Sequence, residues 1–137
     1  MIDNVQRALT TFWSQFTSGG EAVPAYLQGL VPSHVPLPYI TMQMSMGDAL
    51  QTTPMVAQVW VKHAEGDSTA AANAQRAEIL NQIAEALPST GVRLPCEPGF
   101  LMLRRSSGDF ITLMLDADDP SIYGGRIGYE VTYYNMI

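Results

Sequence analysis

The chain is poor in the residues on which several protein classes depend. It contains one cysteine, Cys96, in 137 residues. It therefore cannot form an internal disulfide, and nothing indicates an oxidising compartment. Seven lysines and arginines stand against thirteen aspartates and glutamates, for a formal net charge of -6. Because phosphate binding needs clustered basic side chains, this balance argues against a groove that grips nucleic acid.

Long apolar runs and common catalytic motifs are also missing. No run approaches the roughly 18 apolar residues that a membrane-spanning helix needs. The first residues lack the basic and apolar segments of a signal peptide. We therefore expect an intracellular or particle-borne protein without a membrane partner. The sequence has no GxxxxGK[ST] loop, no GxGxxG after a strand and no HExxH, so the usual phosphate and zinc motifs are absent.

The acidic cluster formed by Asp116, Asp118 and Asp119 is the first candidate for chemistry. A calcium loop needs further oxygen ligands at fixed spacings and a glycine at its tight turn. Pro120 and Ser121 occupy the positions where that pattern requires a ligand and the glycine. We therefore interpret this cluster as a solvated loop.

Three further side chains could in principle act as nucleophile, base or ligand: His34, His63 and Cys96. Neither histidine has another cysteine or histidine at ligand spacing. Cys96 has no cationic neighbour in sequence that would lower its pKa. We expect surface histidines and a packed thiol, with no metal site, no cofactor and no enzymatic activity.

The chain is organised around residues 36–63, which predict two strands and a connection. In the first strand apolar and polar side chains alternate, which is typical of a half-buried strand. Its apolar face consists of Ile40, Met42, Met44 and Met46. The second strand presents Met55, Ala57, Val59 and Val61 on one face. We predict an antiparallel pair in the middle of a sheet.

Helices are predicted on both sides of this pair. Apolar residues at helical spacing predict a helix over residues 1–17, with Trp13 as its largest anchor and Ser18-Gly19-Gly20 as its end. A second helix is predicted over residues 68–87, stopped by Pro88. Residues 23–27 fit either a short helical turn or an edge strand.

The last third of the chain is rich in strand patterns. Residues 92–94 fit a short edge strand. Residues 100–105 and 110–115 predict a hairpin through Ser106-Ser107-Gly108, and Gly124-Gly125 predicts the turn into a last strand over residues 126–136. The whole predicts one domain over residues 1–137. Its fold class is α+β, with a mainly antiparallel sheet of four to five strands and two helices packed on one face.

Four segments in this order resemble a known family. They are the helix at residues 3–17, the proline-rich connector into Leu37-Pro38-Tyr39-Ile40-Thr41, the strand 55–61 with the alanine-rich helix 68–87, and the final strand 126–134. The chain resembles the tail terminator, or tail completion, proteins of long-tailed bacteriophages and the related head-tail joining proteins. The resemblance covers nearly the whole chain and consists of pattern and order; residues 104–119 match only in strand character.

The resemblance implies a structural virion protein. Such proteins form a ring, commonly a hexamer, that caps the tail tube at its final length and joins the tail to the head. The implied partners are copies of the chain itself, the tail tube protein and a head-closure or connector protein. DNA passes through the lumen without specific binding. The implied location is the neck of the virion, assembled in the host cytoplasm.

Two polar connections, at residues 47–53 and 116–125, are long enough to reach a neighbouring subunit. This hypothesis places Asp48, Gln51, Asp118 and Tyr123 at or near an interface. Three alternatives remain open. They are another phage neck protein, such as a head-closure or minor capsid subunit, a small enzyme that uses the acidic loop, and a cellular domain that binds a ligand between helix and sheet.

Overall fold

A computed structural model describes residues 2–45, 52–62 and 69–135. The described residues contain two helices, α1 (Ile2–Trp13) and α2 (Thr69–Ala86). The strands are β1 (Thr17–Ser18), β2 (Glu21–Ala22), β3 (Ala25–Leu27), β4 (Tyr39–Gln43), β5 (Thr53–Lys62), β6 (Val92–Cys96), β7 (Gly99–Arg105), β8 (Ile111–Leu115) and β9 (Ile122–Tyr134). Neither helix combines the length and the apolar character that crossing a membrane requires.

Seven of the strands form one curled sheet in the order β3-β4-β5-β9-β7-β6, with β8 also paired to β9. Every pairing in it is antiparallel except that of β3 with β4. The predicted α+β class and the mainly antiparallel sheet are confirmed. The predicted four to five strands are too few, because the two short strands β3 and β6 at the ends of the sheet are defined by pairing rather than by pattern.

The predicted central strand pair is confirmed. β4 pairs with β5 in the register Ile40 to Val59, and β5 pairs in turn with β9 over ten residues. The side chains of β5 alternate strictly between buried and more exposed, as the sequence predicts. On the opposite face of the pair, the Trp60 indole N–H donates to Thr41 Oγ1 at 3.1 Å.

Both helices pack on one face of the sheet and share a single apolar core with it. From α1, the fully buried Trp13 donates its indole N–H to the Tyr129 hydroxyl on β9 at 3.2 Å. From α2, the Leu80 side chain lies directly over Gly125 of β9. The sheet therefore has a covered face and a face free of helices, here called the helix-free face.

The first helix is shorter than predicted and ends at Trp13. Beyond the helix, the Gln82 amide binds the backbone of Thr17, the first residue of β1. Its Nε2 donates to Thr17 O at 2.7 Å, and its Oε1 accepts from Thr17 N at 3.0 Å. Gly19 and Gly20, with φ of 59° and 83°, form the turn between β1 and β2 rather than the end of a helix.

The predicted hairpin of residues 100–105 and 110–115 is wrong. β7 and β8 run end to end along the same edge of β9 instead of pairing with each other. Between them the chain makes an excursion, since Ser106 N donates to Gly128 O at 3.0 Å and Phe110 O accepts from Gly128 N at 2.9 Å. The hairpin that does form joins β8 to β9 through residues 116–121.

Gly124 and Gly125 lie inside β9 and not in a turn, which corrects the prediction for this pair. Added Cβ atoms would lie 3.0 Å from the Trp60 ring at Gly124 and 2.9 Å from Leu80 at Gly125. The two glycines therefore let an aromatic ring cover one face of the strand and a helix approach the other.

Candidate protein-interaction surface

Strand β8 is an edge of the sheet. It pairs with β9 from Ile111 opposite Ile127 to Leu115 opposite Tyr123. Within residues 2–45, 52–62 and 69–135, no other strand pairs with it. β7 pairs with residues 129–134 of β9, and β6 pairs with β7. β8 pairs with residues 123–127 on the same edge of β9, so β6 and β7 do not cover its outer side.

The backbone of β8 presents hydrogen-bonding groups away from β9. Phe110 O accepts from Gly128 N at 2.9 Å, and Asp116 N donates to Ile122 O at 3.0 Å. Even-numbered residues therefore face β9. Because the direction of these groups alternates along a strand, Ile111, Leu113 and Leu115 direct their N–H and C=O groups outward. A further strand could pair there.

The side chains of this edge are apolar and exposed. Leu113 is 60% exposed and Leu115 is 55% exposed. Both belong to the face of the sheet that carries the helices, since they pair with Gly125 and Tyr123. The five residues of β8 include no charge and no proline, which are the devices that commonly protect an edge strand from association. We call Leu113, Leu115 and the outward backbone of residues 111–115 the β8 surface.

The α2 helix supports β8 from the covered side. Arg76 Nη1 donates to Gly124 O at 3.1 Å and reaches Met114 O at 3.4 Å. The guanidinium carbon lies 5.4 Å from the centre of the Tyr123 ring. These contacts tie β8 and β9 to α2, so the β8 surface belongs to the folded body of the protein.

The residues predicted at an interface fall into two groups. Asp48 and Gln51 lie outside the described residues. Asp118 is exposed in the loop between β8 and β9, and Tyr123 pairs directly with Leu115. The structure thus brings Asp118 and Tyr123 to the region of the β8 surface. Tyr123 is also partly buried against the core, so replacing it would disturb the fold as well as the surface.

The exposed leucines themselves were missed by sequence reasoning. Residues 110–115 read as an ordinary strand, and an apolar strand residue is usually buried. The only signal was the lack of any charge between Phe110 and Leu115. The lack of charge indicates an exposed apolar surface only when the strand is known to lie at the edge of the sheet.

The acidic loop uses its carboxylates to hold its own turns. Asp116 Oδ2 accepts from the backbone N–H groups of Asp118 and Asp119, at 3.1 and 2.9 Å. Asp119 Oδ1 accepts from the Ser121 hydroxyl at 2.6 Å, and this hydrogen bond lowers the pKa of Asp119. In the described part of the chain, no three acidic, histidine or cysteine side chains converge where they could hold a metal ion.

The remaining candidates for chemistry lie apart from one another. His34 is exposed in the connector before β4, and His63 lies outside the described residues. Cys96 is buried at the end of β6, and burial raises the pKa of its thiol. Burial also raises the pKa of the Tyr129 hydroxyl, which sits against Trp13. These last two positions are consistent with packing roles.

A concave surface, separate from the β8 surface, lies between α1 and β6. It is a groove of about 480 Å³. Its lining consists of Asn4, Arg7, Ala8, Thr11, Phe12, Gln15, Leu94, Pro95, Cys96 and Glu97. The floor is mostly apolar, and the lining includes one basic side chain, Arg7, and one acidic side chain, Glu97. Such a groove has the general character of a small-molecule site.

The net negative charge is not spread evenly over the molecule. On the helix-free face, the strand registers place Arg93, Arg104 and Arg126, with Glu130 as the acidic residue opposite Arg104. The guanidinium of Arg93 lies 3.7 Å from the centre of the Phe100 ring, which stacks on Tyr134. This face is therefore more basic than the chain as a whole.

Comparison of the chain with protein-family models, with curated proteins and with solved structures gives no match.

Proposed function

We propose that the protein is a structural subunit that assembles with copies of itself into a ring at the head end of a phage tail. The observation that supports assembly most directly is the β8 surface. Two leucines that are more than half exposed lie on an uncharged edge strand with outward backbone groups. Such an edge is a template for pairing with another chain.

The phage assignment rests on the resemblance of the sequence, and the fold is compatible with it. The opening helix, the central strand pair, the second helix and the long last strand occur in the order that the resemblance requires. In the proposed role the ring caps the tail tube and contacts a head-closure or connector protein. These partners are inferred from the same resemblance.

The role of DNA in this proposal depends on which face lines the lumen. A lumen lined by the helical side would place the arginines of the helix-free face outside the ring, away from the phosphates of passing DNA. A lumen lined by the helix-free face would present Arg93, Arg104 and Arg126 and would slow the DNA in a salt-dependent way. The proposed free passage of DNA therefore favours the helix-free face on the outside of the ring.

The first test locates the protein in the particle. An antibody raised against the purified chain is applied to virions made by the genome that encodes it, and the label is imaged by electron microscopy. We expect label at the junction of head and tail. Label confined to the capsid would favour a minor capsid subunit, and particles without label would overturn the virion assignment.

The second test measures assembly. We expect the wild-type protein to show a solution mass of several subunits by light scattering after size exclusion, rising with concentration. Images of these particles should show a central hole. The Asp118→Ala variant should weaken the ring without lowering the melting temperature, with Ser107→Ala in the exposed excursion as its matched control. Full assembly of Asp118→Ala at low concentration would remove Asp118 from the interface.

The groove between α1 and β6 favours a second candidate function, a ligand-binding domain. This candidate requires a stable monomer, whereas the ring requires association. A monomer whose melting temperature rises with small amphipathic anions, and whose rise is lost in Arg7→Ala, would support the second candidate over the first.

A further inference from the structure

The strand at the other edge of the sheet also carries an exposed leucine. β3 pairs in parallel with β4, residues 25–27 against 40–42. The chain then turns, with Leu30 N donating to Leu27 O at 3.0 Å and Gly29 at a φ of 85°. The positive φ is one that glycine adopts without strain. The turn leaves Leu30 67% exposed at this edge.

Beside Leu30 the surface forms a notch of about 280 Å³. Its lining consists of Leu27, Gln28, Leu30, Met42, Gln43 and Met44. Methionine side chains adapt to irregular partners. The notch can therefore receive apolar side chains from another molecule.

The β8 surface and the β3 edge are the two ends of one row across the sheet. Leu113 pairs with Gly125, Gly125 with Val59, Val59 with Ile40, and Ile40 with Ala25. Four strand spacings of about 4.8 Å separate these ends, or about 19 Å. Paired residues share a face, so Leu113 and Ala25 project on the same side.

The strand directions allow the two edges to meet. β8 is antiparallel to β9, β9 to β5 and β5 to β4, while β3 is parallel to β4. β8 and β3 therefore run in opposite directions within one chain. A rotation about an axis parallel to the strands preserves direction, so β8 of one copy would meet β3 of the next as an antiparallel pair.

The backbone of β3 is also oriented for this pairing. Ile40 N donates to Pro24 O at 2.9 Å and Gln28 N to Met42 O at 2.8 Å. Even-numbered residues thus face β4, and the N–H and C=O groups of Ala25 and the N–H group of Leu27 are directed outward, whereas Leu27 O accepts from Leu30 N. Neither β3 nor β8 contains a charged residue, so their approach brings no like charges together within the strands.

We propose that β8 of one copy pairs with β3 of the next, with Leu113 opposite Ala25, Ile111 opposite Leu27, and Leu30 with its notch packed beside Ile111. This inference rests on the proposed self-assembly and names its contact. The patch on one subunit differs from the patch on the other, so the interface is heterologous. Repeating it closes a ring when the rotation between neighbours divides a full turn.

The test uses charge substitutions on the two edges and solution mass as readout. Leu113→Lys and Leu30→Asp should each raise the subunit concentration needed for half-assembly by at least about tenfold. Asn81→Lys and Asn81→Asp are matched controls that add the same charges at an exposed position of α2, outside both edge strands. We expect both controls to assemble like the wild type. The melting temperature of each variant checks that it is folded.

Mixing the two defective variants separates this inference from other modes of assembly. The wild-type β8 of Leu30→Asp can pair with the wild-type β3 of Leu113→Lys, and the altered edges carry opposite charges. We therefore expect an equimolar mixture to regain assembly at concentrations where each variant alone is monomeric. Failure of the mixture to assemble would overturn the pairing.

Two other outcomes would also overturn the pairing of β8 with β3. They differ in what they imply for the proposed function. If Leu113→Lys is monomeric but Leu30→Asp assembles, β8 pairs with itself or elsewhere, and a self-assembling subunit stands. If the wild-type chain stays monomeric across the series, the pairing is wrong. The antibody label at the head-tail junction would still decide the virion role by itself.

Discussion

Replacing Gly125 by alanine tests whether the α2 helix is seated directly on β9. A Cβ at this position would lie 2.9 Å from Leu80 Cδ2, 3.0 Å from Cδ1 and 3.4 Å from Cγ. Leu80 is buried, so its side chain has little room to move. Overpacking of this kind costs about 1–3 kcal/mol of unfolding free energy.

The size of the effect can be converted to a melting temperature. With an unfolding entropy of about 2.1 cal/mol/K per residue, a chain of 137 residues loses about 3–10 °C. Urea unfolding gives the free energy, and calorimetry gives the temperature. Gly108→Ala is the control, because its added Cβ would meet only Ser106 Oγ at 3.9 Å.

The cause of the loss is tested in a second background. Leu80→Ala removes all three atoms that the new Cβ would approach. It costs about 2–5 kcal/mol by itself, because it empties a buried site. In that background Gly125→Ala should cost far less, with a coupling of about 0.5–3 kcal/mol. A Gly125→Ala variant as stable as the Gly108→Ala control, or one whose cost is unchanged without Leu80, would refute the close seating of the helix.

Two further predictions follow from buried polar contacts. Tyr129→Phe should cost about 1–3 kcal/mol, because it leaves the buried Trp13 N–H without its acceptor. Burial raises the pKa of Tyr129, so the neutral side chain contributes its full stability at pH values below the unfolded pKa of about 10, and this contribution is lost as the pH rises above that value. The free energy of unfolding of Tyr129→Phe should therefore fall less steeply with rising alkaline pH than that of the wild type. Arg105→Ala should cost about 1–3 kcal/mol in urea unfolding, because Arg105 donates to Leu87 O at 2.7 Å and to Ala84 O at 2.9 Å at the end of α2. The exposed neighbour Arg104, replaced by alanine, should change stability little, and equal losses for both arginines would contradict this.

The candidate interaction surface shows where sequence reasoning stops. Asp118 and Tyr123 were predicted from the length and polarity of their loop, and both lie beside β8. Leu113, Leu115 and Leu30 were not predicted, because an apolar residue in a strand or connector carries no mark of exposure. Their exposure depends on which strands stand at the edges, and edges are set by pairing between distant parts of the chain.

Local pattern determined the elements that have strong periodicity. The alternation in β5, the apolar stripe of α1 and the buried face of β9 follow from the spacing of apolar residues, and burial confirms them. The reason is that one face of each element is removed from water wherever it packs, so the sequence must carry the period.

Tertiary structure decided the features in which a segment has more than one possible pairing or packing partner in the chain. β7 and β8 each have strand character, and β9, with 13 residues, is long enough to pair with both of them end to end. Gly124-Gly125 has the composition of a turn, yet Trp60 and Leu80 require glycines within a strand. The segment after the first helix is held by Gln82, sixty-five residues away, which binds Thr17. Such contacts are long-range, and no local window of the sequence contains both partners.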